Sequence, residues 1–385
     1  MGYRKRVMIL GCTGSIGTTA MQSLDSLRSS FDIVAISAHK NHAKLLYYAQ
    51  SFNVPNVCLS GGSFEIEETD GRCFYYGSSG LLDMIRNVEC DVVLNAISGS
   101  AGLEPTFEIL SHHTTLALAN KESIVMGGDL FTQTVKKYGV TVYPVDSEHS
   151  TIDSLIKAHG DSHVDSVILT ASGGPFRTFT PRQMAHITIE QALNHPTWNM
   201  GAKITIDSAT LANKGLEVIE ASYLFGKNVG SIDVVIHPQS VVHSFIRMKN
   251  GALYAQMSPP DMALPIMNAL NGGHVELKDI VSPLDLSDLT LRFEKFDKNQ
   301  FPLLDMAFHC LKSRKGYPIA FNGANETAVL AFLKKKISFI SISAIVQEVL
   351  QHSWSEQITS IEDIYSVHRR ANTMAQQLVE RYRIE

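Results

Sequence analysis

A glycine-rich turn near the N-terminus constrains the fold of this chain more than any other part of its sequence. The apolar run Arg6–Leu10 leads into GCTGSIG at residues 11–17, and a helical pattern follows from Thr18 to Leu27. Glycines between a strand and a helix allow a tight turn and let the backbone approach a pyrophosphate, whose charge then lies at the helix N-terminus. We therefore predict a dinucleotide site here, in preference to a simple tight turn.

The residues that follow repeat the alternation of strand and helix. Further strands are predicted, with helical patterns between them, at Asp32–Ala38, Asn56–Leu59, Asp91–Ala96, Thr115–Leu118 and Val140–Val145. This alternation implies a parallel sheet, so residues 1–145 are predicted to form a Rossmann-like domain. Ligands of such sheets bind beyond the carboxyl ends of the strands, which would place Asn120, Lys121 and Glu122 against a cofactor or substrate.

The end of the second strand predicts which dinucleotide is bound. An NAD site usually carries an acidic residue there for the ribose 2′-hydroxyl, whereas this chain has His39, Lys40 and Asn41. Lys40, with a contribution from His39, would suit the 2′-phosphate of NADP instead. The alternative is a lysine that is simply exposed at the end of a strand.

Two carboxylates follow the strand that ends at Val145. Asp146 and Glu148 would share one face if the extended conformation continued. Carboxylates without cysteine suit a hard divalent ion such as Mg²⁺ or Mn²⁺, and Glu217 could complete such a site. His149 is a candidate ligand or base, or a residue that only supports a ligand.

The stretch Ile204–Gly226 is predicted to form one helix that begins at Asp207 or Ser208 and ends near Gly226. The side chains that would cluster on one side of it, three or four residues apart, are those of Asn213, Lys214 and Glu217. Such a cluster could bind an oxygen-rich ligand, with or without a metal ion. The alternative is a solvated helix face with one local ion pair.

Two irregular segments could contact a substrate. The strand Val164–Thr170 leads to Ser172 in ASGGPFR, a small-residue turn that could hold a phosphate or simply reverse the chain. The loop 194–203, called the flap below, contains His195, Trp198 and Met200. A loop with a large aromatic residue either packs as a plug or closes over a substrate, and the sequence favours neither.

The remaining pattern completes the fold class. Strands are predicted at 232–235, 241–248 and 254–257, and helices with short connections follow from residue 302. In these helices Asn322, Asn325 and Glu326 are interpreted as helix caps. We expect an α/β protein with a Rossmann-like NADPH-binding domain (1–145), an α+β catalytic, metal and substrate domain with the flap (146–280), a linker (281–302) and a C-terminal helical bundle (303–385).

Composition excludes several function classes. The 385 residues are 44% hydrophobic and 18% charged, with a net charge of −5, which argues against a nucleic-acid or anionic-membrane surface. Five cysteines without a CxxC pair predict neither a disulfide framework nor a thiolate zinc site. No apolar run approaches the roughly 20 residues of a membrane span, and no signal or transit segment precedes the first strand. We expect a soluble cytoplasmic protein.

The chain resembles the 1-deoxy-D-xylulose 5-phosphate reductoisomerase family in a series of motifs, which are, in order, GCTGSIG, LANKES, PVDSEHS, LTASGGPFR, HPTWNMGAKITIDSATLANKGLE, HPQSVVHS and NGANE. The resemblance spans nearly the whole chain. It implies an oxidoreductase, dependent on NADPH and on Mn²⁺ or Mg²⁺, that rearranges and reduces 1-deoxy-D-xylulose 5-phosphate to 2-C-methyl-D-erythritol 4-phosphate in non-mevalonate isoprenoid biosynthesis. It also implies a homodimer with a sugar-phosphate substrate and no nucleic-acid or membrane partner.

The resemblance assigns roles to individual residues. The catalytic residues would be Lys121, Glu148, His195 and Glu217, and the metal ligands would be Asp146, Glu148 and Glu217. The substrate would be bound by Lys121, Ser147, Glu148, Ser172, His195, Ser208, Asn213, Lys214 and Glu217. The cofactor would be bound by Thr13, Gly14, Ser15, Ile16, His39, Lys40, Asn41, Asn120, Glu122 and Gly201, and a flexible flap would contain Trp198 and Met200.

One residue and one four-residue segment depart from the family pattern. His39 stands where glycine is common, which affects the geometry around the 2′-phosphate, and TIDS follows the metal motif where AIFQ is more usual.

Two other functions stay open. An NADP-dependent dehydrogenase of a phosphorylated metabolite would share the glycine turn and Lys40 but has less use for three carboxylates. An NADP-sensing scaffold with a helical interaction module would need no divalent metal.

Overall fold

The structure is a computed structural model that describes residues 3–62, 71–273 and 278–384. Its contacts divide the chain into two compact units, each with its own sheet. The first unit comprises Met1–Ser123, Gln133–Ser150 and Asp261–Ser282. The second comprises Ile124–Thr132, Thr151–Pro260 and Pro283–Glu385.

The first unit contains a parallel sheet. Its strands are β1 (Lys5–Leu10), β2 (Phe31–Ala38), β3 (Asn56–Leu59), β4 (Cys73–Tyr76), β5 (Val92–Asn95), β6 (Thr115–Leu118) and β7 (Thr141–Pro144). The helices along this part of the chain are α1 (Ser15–Asp25), α2 (His42–Ser51), α3 (Gly77–Asn87), α4 (Leu103–His112), α5 (Lys121–Tyr138) and α6 (Ser147–His159). The strand order is β4-β3-β2-β1-β5-β6-β7, and the predicted parallel sheet is confirmed. The sequence does not reveal β4, because this short edge strand has no alternating pattern.

The core of the first unit explains its apolar strands. A parallel sheet with helices on both faces buries both sides of its strands, and Val7 of β1 is accordingly fully buried. Helix α11 (Ala263–Leu270) joins this core through Ile266 and Leu270. Residues 261–282 therefore group with the first unit by their contacts, whereas the sequence analysis places residues up to 280 with the second.

The second unit contains a mixed sheet in the order β11-β10-β8-β9. Its strands are β8 (Val164–Ala171), β9 (Ile232–Ile236), β10 (Val242–Met248) and β11 (Leu253–Met257), with β8 and β9 parallel and the other two pairs antiparallel. Two short helices, α7 (Pro181–Met184) and α8 (Ile189–Leu193), precede the flap.

The C-terminal part of the second unit is helical, so the predicted fold class is confirmed. Its helices are α12 (Pro302–Ser313), α13 (Tyr317–Leu333), α14 (Phe339–Leu350) and α15 (Ile361–Arg381). Contacts group these helices with the mixed sheet, rather than as the separate domain expected from the sequence. The functional labels given to the sequence segments stay predictions.

The stretch Ile204–Gly226 forms two helices instead of the one predicted. They are α9 (Ala202–Ala209) and α10 (Ala212–Phe225), and the second of the two residues between them, Leu211, has a left-handed φ of +58°. Thr210 causes the break, because its hydroxyl donates to a carbonyl of the preceding turn (3.2 Å) and accepts the first N–H of α10 (3.3 Å). The predicted helix end at Gly226 is confirmed.

The helix start predicted at Asp207 or Ser208 is wrong, as are the helix caps predicted at Asn322, Asn325 and Glu326. Asp207 and Ser208 lie inside α9, and the other three residues lie inside α13. Asp207, Asn322 and Asn325 are buried, so their polar groups find partners on neighbouring helices instead of capping a helix end. None of the described helices is long and apolar enough to cross a membrane. All five cysteines are free thiols.

Gly215 sets how closely α10 packs on α12. A Cβ at this position would lie 2.7 Å from the Cβ of Ala307. We expect Gly215→Ala to lower the free energy of unfolding by about 1–3 kcal/mol, because overpacking forces the two helices apart. Urea-induced unfolding measures the change. Gly230→Ala is the control, since nothing lies within 4 Å of a Cβ there, and equal losses in both variants would contradict the packing explanation.

Candidate functional site

The glycine turn of the first unit is built for close backbone packing. Gly11 has a φ of +81°, and a Cβ there would lie 2.7 Å from the carbonyl oxygen of Ala96. A Cβ on Gly17 would lie 2.2 Å from the carbonyl oxygen of Gly11. No side chain caps the N-terminus of α1, where N–H groups can bind an anion. The predicted cofactor contacts at this end of the helix are Thr13, Gly14, Ser15 and Ile16.

The residues after β2 have different roles. The ring of His39 occupies the space beside Gly61, where a Cβ would lie 2.2 Å from it. Asn41 caps α2, because its Oδ1 accepts a hydrogen bond from the backbone N–H of Lys44 (3.1 Å). The side chain of Lys40 is exposed at the end of β2, and its role at a 2′-phosphate stays a prediction.

Asn120 holds a loop of the first unit in place. Its Nδ2 donates to the carbonyl oxygens of Ile97 (2.7 Å) and Gly99 (2.8 Å), and its Oδ1 accepts the N–H of Ser123 (3.0 Å). The side chain therefore ties the loop after β5 to the first turn of α5. Lys121 begins that helix, at the carboxyl end of β6, as the sequence predicts.

Asp146 caps α6 and does not continue the strand before it. Its Oδ1 accepts the N–H of Glu148 (3.1 Å). The expected extended arrangement of the two carboxylates is therefore wrong, because Glu148 lies in the first turn of the helix. Lys121 Nζ donates to Asp146 Oδ2 (2.8 Å), and Ser147 Oγ donates to Glu148 Oε2 (2.5 Å). Both carboxylates still lie at a helix N-terminus, which favours negative charge.

Helix α10 buries a charged cluster. Asn213 Nδ2 donates to Glu217 Oε1 (2.5 Å), and the ammonium of Lys214 contacts the other carboxylate oxygen of Glu217. The side chains of Lys214 and Glu217 are 4% and 1% exposed. The predicted clustering is confirmed, and the alternative of a solvated helix face is wrong, because almost none of either side chain reaches solvent.

His195 joins three segments of the second unit. Its Nδ1 accepts hydrogen bonds from the backbone N–H groups of Thr197 (3.1 Å) and Trp198 (3.0 Å). Its Nε2 lies 3.1 Å from the hydroxyl oxygens of both Ser172 and Ser208. Because Nδ1 accepts, the neutral imidazole carries its proton on Nε2. Burial lowers the pKa of His195 from 6.5 to about 4, which keeps the ring neutral at pH 7.

A close backbone approach brings the two serines to this imidazole. Gly174 has a φ of +66°, and a Cβ there would lie 2.9 Å from the carbonyl oxygen of Ser208. Its N–H donates to Ser172 Oγ (3.2 Å). Two hydroxyls and an Nε2–H group therefore converge in one place, a set of donors that suits phosphate oxygens.

The flap runs from the end of α8 into α9. Trp198 and Met200 are half-buried, and the Trp198 ring lies 6.4 Å from that of His243. Gly201 precedes α9, and nothing lies within 4 Å of a Cβ built there. Both roles predicted for Trp198, plug and lid, are compatible with this packing.

Three other histidines have structural partners. His237 Nδ1 donates to the carbonyl oxygen of Arg292 (2.9 Å), and His243 Nε2 lies 2.9 Å from Ser258 Oγ. Burial lowers the pKa of His243. His149 is buried, and its Nδ1 lies 3.7 Å from Asp146 Oδ1, so it is placed to support that carboxylate.

The sequence does not reveal the contact between Asp207 and Asn325. Asn325 Nδ2 donates to Asp207 Oδ1 (2.7 Å), although the two residues are 118 positions apart. The one available signal is the presence of polar residues in NGANE, within an otherwise apolar helix.

The residue types fit a nicotinamide dinucleotide and a hard divalent ion. The first unit offers an uncapped helix behind a glycine turn and an exposed lysine after β2. Carboxylates at Asp146, Glu148 and Glu217 are oxygen donors of the kind that Mg²⁺ and Mn²⁺ prefer. Fold and site together define a Rossmann-type oxidoreductase with an added unit of mixed sheet and helices.

Comparisons with known proteins specify the family. Family models described as 1-deoxy-D-xylulose 5-phosphate reductoisomerase and its C-terminal domains match residues 7–128, 142–225 and 257–374. The 1-deoxy-D-xylulose 5-phosphate reductoisomerase of Treponema pallidum is 42% identical over 372 residues, which cover 96% of this chain and 96% of that protein. The chain belongs to the 1-deoxy-D-xylulose 5-phosphate reductoisomerase family.

Solved structures agree with this family. The reductoisomerase from Zymomonas mobilis in complex with NADPH superposes with a TM-score of 0.90 at 36% identity, covering 98% of this chain and 100% of that one. A DOX-P reductoisomerase in complex with NADPH, fosmidomycin and magnesium gives a TM-score of 0.91 at 36% identity, covering 98% of each chain. Both chains of known structure therefore share the whole fold.

The depressed pKa of His195 predicts an acid-sensitive contribution to stability. The ring titrates near 6.5 when unfolded and near 4 when folded, so the unfolded chain binds the extra proton between these values. Stability falls as the pH drops through this window. We expect His195→Asn, whose amide oxygen can replace Nδ1 as acceptor, to lose less stability than the wild type between pH 7 and about pH 4.5 in urea unfolding.

The exposed His352 supplies the control. His352→Asn should lose as much stability on acidification as the wild type does. If His195→Asn and the wild type lost the same amount, the assignment of a neutral, buried imidazole to His195 would be wrong.

Proposed function

We propose that these side chains carry out the reaction of the family, which is the NADPH- and divalent-metal-dependent conversion of 1-deoxy-D-xylulose 5-phosphate to 2-C-methyl-D-erythritol 4-phosphate in non-mevalonate isoprenoid biosynthesis. The observation that carries the assignment is the convergence of Ser172, Ser208 and the Nε2–H of His195 in a chain of this family. The reaction combines a skeletal rearrangement with hydride transfer, so it needs both a nucleotide and a group that stabilises oxyanions.

We assign Asp146, Glu148 and Glu217 to the metal ion. Support comes from their donor chemistry and from the lysines beside them. When bound, Mg²⁺ or Mn²⁺ supplies a Lewis acid for carbonyl and hydroxyl oxygens. Lys121 donates to Asp146, and Lys214 contacts Glu217, so each ammonium orients one carboxylate.

We assign the substrate's phosphate to Ser172, His195 and Ser208. Both hydroxyl oxygens lie within hydrogen-bond distance of the Nε2 of His195, so an anion that replaces these mutual contacts would meet three donors already close together. Asn213 and Lys214 offer further donors to the phosphate and the hydroxyls. The residues assigned to the rest of the substrate are Lys121, Ser147, Glu148 and Glu217.

The imidazole also connects phosphate binding to the flap. The Nε2 of His195 faces the phosphate donors, while its Nδ1 holds the backbone N–H of Trp198 (3.0 Å). A phosphate that fixes the ring therefore fixes the start of the flap. This favours a lid role for Trp198 and Met200, in which binding energy far from the reacting carbons excludes water from them.

We assign the NADPH phosphates to the two anion sites of the first unit. The pyrophosphate belongs at the uncapped N-terminus of α1, from Thr13 to Ile16, and the 2′-phosphate belongs beside Lys40, with His39 and Asn41. Asn120, Glu122 and Gly201 complete the proposed contacts.

Lys40→Ala tests the 2′-phosphate site. The ratio of its affinity for NADPH to its affinity for NADH should fall about tenfold relative to the wild type, because a cation beside the 2′-phosphate is lost.

We also propose a cytoplasmic homodimer. Strand β11 is an edge of its sheet and exposes Leu253, Tyr254 and Met257. A second copy that covers this edge would satisfy its backbone N–H and C=O groups. Sedimentation equilibrium distinguishes a dimer from a monomer of 42.4 kDa.

The five free thiols support the proposed cytoplasmic location, because thiols stay reduced in that compartment.

Glu217→Gln tests the metal assignment. The amide keeps the size of the side chain but removes its charge, so we expect kcat and Mn²⁺ affinity each to fall by about 100-fold. The Kd of NADPH, measured by fluorescence titration, should stay within about twofold of the wild type, since Glu217 has no role in the nucleotide site. Turnover with and without a chelator reports the metal requirement.

The exposed Glu380 provides a matched control, because Glu380→Gln makes the same change on the surface. It should leave both kcat and Mn²⁺ affinity unchanged. Wild-type turnover in Glu217→Gln would refute the metal role. Chelator-insensitive oxidation of NADPH by a phosphorylated metabolite would favour a simple dehydrogenase, and NADPH binding without any turnover would favour a sensing protein.

A further inference from the structure

A buried carboxylate on α9 has no role in the site described so far. Asp207 is 1% exposed, and both of its oxygens are occupied. Oδ1 accepts a hydrogen bond from Asn325 Nδ2 (2.7 Å), and Oδ2 lies 3.0 Å from the ammonium of Lys203. Taking a charge out of water is costly unless partners replace its hydration, so the carboxylate depends on these two contacts.

Asp207 immediately precedes Ser208, whose hydroxyl lies 3.1 Å from His195 Nε2. Helix α9 has only 8 residues, and the chain breaks just after it at the left-handed Leu211. Few intrahelical hydrogen bonds therefore hold this helix, and any shift of Asp207 also shifts Ser208. The contact with Asn325 fixes the end of α9 that carries the serine.

The orientation of Asn325 follows from its partner. Its Nδ2 must face the carboxylate of Asp207, because the reversed amide would set two acceptor oxygens against each other. Its Oδ1 is then buried with no hydrogen-bond partner among the described residues. Apolar residues of similar volume in place of both Asp207 and Asn325 would avoid burying a charge and an unpaired oxygen. Stability alone therefore does not require the pair.

A second contact ties the C-terminal helices to α10. Gly215 follows Lys214, and a Cβ on it would lie 2.7 Å from the Cβ of Ala307 on α12. Helix α13 thus contacts α9 through the Asp207–Asn325 pair, while α12 contacts α10. The two helices that carry Ser208 and Lys214 are therefore both contacted by helices from the C-terminal part of the chain.

We propose that Asn325 is a positioning residue for the substrate's phosphate. Through Asp207 it sets the place of Ser208 and, with it, the distance from the serine hydroxyl to His195. This inference rests on the phosphate role proposed above for Ser208. The C-terminal helices thereby act on substrate affinity without contacting the substrate.

Asn325→Ala tests the proposal. The variant removes one hydrogen bond to a buried charge, so the KM for 1-deoxy-D-xylulose 5-phosphate should rise on the order of tenfold. The kcat should fall less than about threefold, because a misplaced binding group weakens the ground state and the transition state alike. The Kd of NADPH should not change.

Two further variants separate positioning from a general loss of structure. Asn322 is buried one turn earlier on the same helix and faces Met126, with Nδ2 3.3 Å from Sδ. Asn322→Ala should lower the Tm about as much as Asn325→Ala but leave the KM unchanged. Asn325→Leu has a similar volume but no donor for Asp207, so its KM should rise about as much as that of Asn325→Ala.

An unchanged KM in Asn325→Ala would overturn the proposal. So would an equal rise in Asn322→Ala, or an Asn325→Leu variant whose KM stays at the wild-type value. If Asn325→Ala does not fold, the KM of Asn325→Leu decides alone, and a rise on the order of tenfold supports the proposal. Absence of turnover in the wild-type chain would instead refute the proposed function.

Discussion

The second unit depends on matching each charge that its site helices bury. Glu217 is paired with Lys214 on the same helix, and Asp207 is paired with Lys203 and Asn325. An isolated charge in such surroundings would change its protonation state or destabilise the helix. These pairs therefore orient the donor and acceptor groups of α9 and α10 before any ligand binds, which is the condition for stabilising a charge that develops during a reaction.

Backbone approach supplies a second, independent constraint. At Gly174 the turn after β8 packs closely on the carbonyl oxygen of Ser208, and at Gly215 helix α10 packs closely on α12. A side chain at either glycine would force backbone or packed side chains to move. Charge pairing sets the orientation of the polar groups, and these glycines set the distances between the segments that carry them.

Local patterns predict the parts of this structure that local forces determine. The bounds of β3 and β6 agree with the sequence because each strand has three consecutive apolar residues after a polar first residue, and the Asn213–Glu217 contact follows from the spacing on one helix. The break at Leu211 is not predictable in this way, because a non-glycine residue takes a left-handed conformation there. Nor is the partner of Asn325, because a hydrogen bond across 118 positions leaves no periodic signal.

The neutral state of His195 determines how the proposed phosphate site would bind its anion. A protonated ring would attract phosphate more strongly, but Nδ1 would then donate where it now accepts from Thr197 and Trp198, and the flap would lose both contacts. Burial, which lowers the pKa of His195 to about 4, preserves them. The charge of Lys214 is already compensated by Glu217, so in the proposed site oriented hydrogen bonds rather than net charge would hold the anion. Its affinity would then depend on the geometry of the flap, and the phosphate would be released when that geometry is lost.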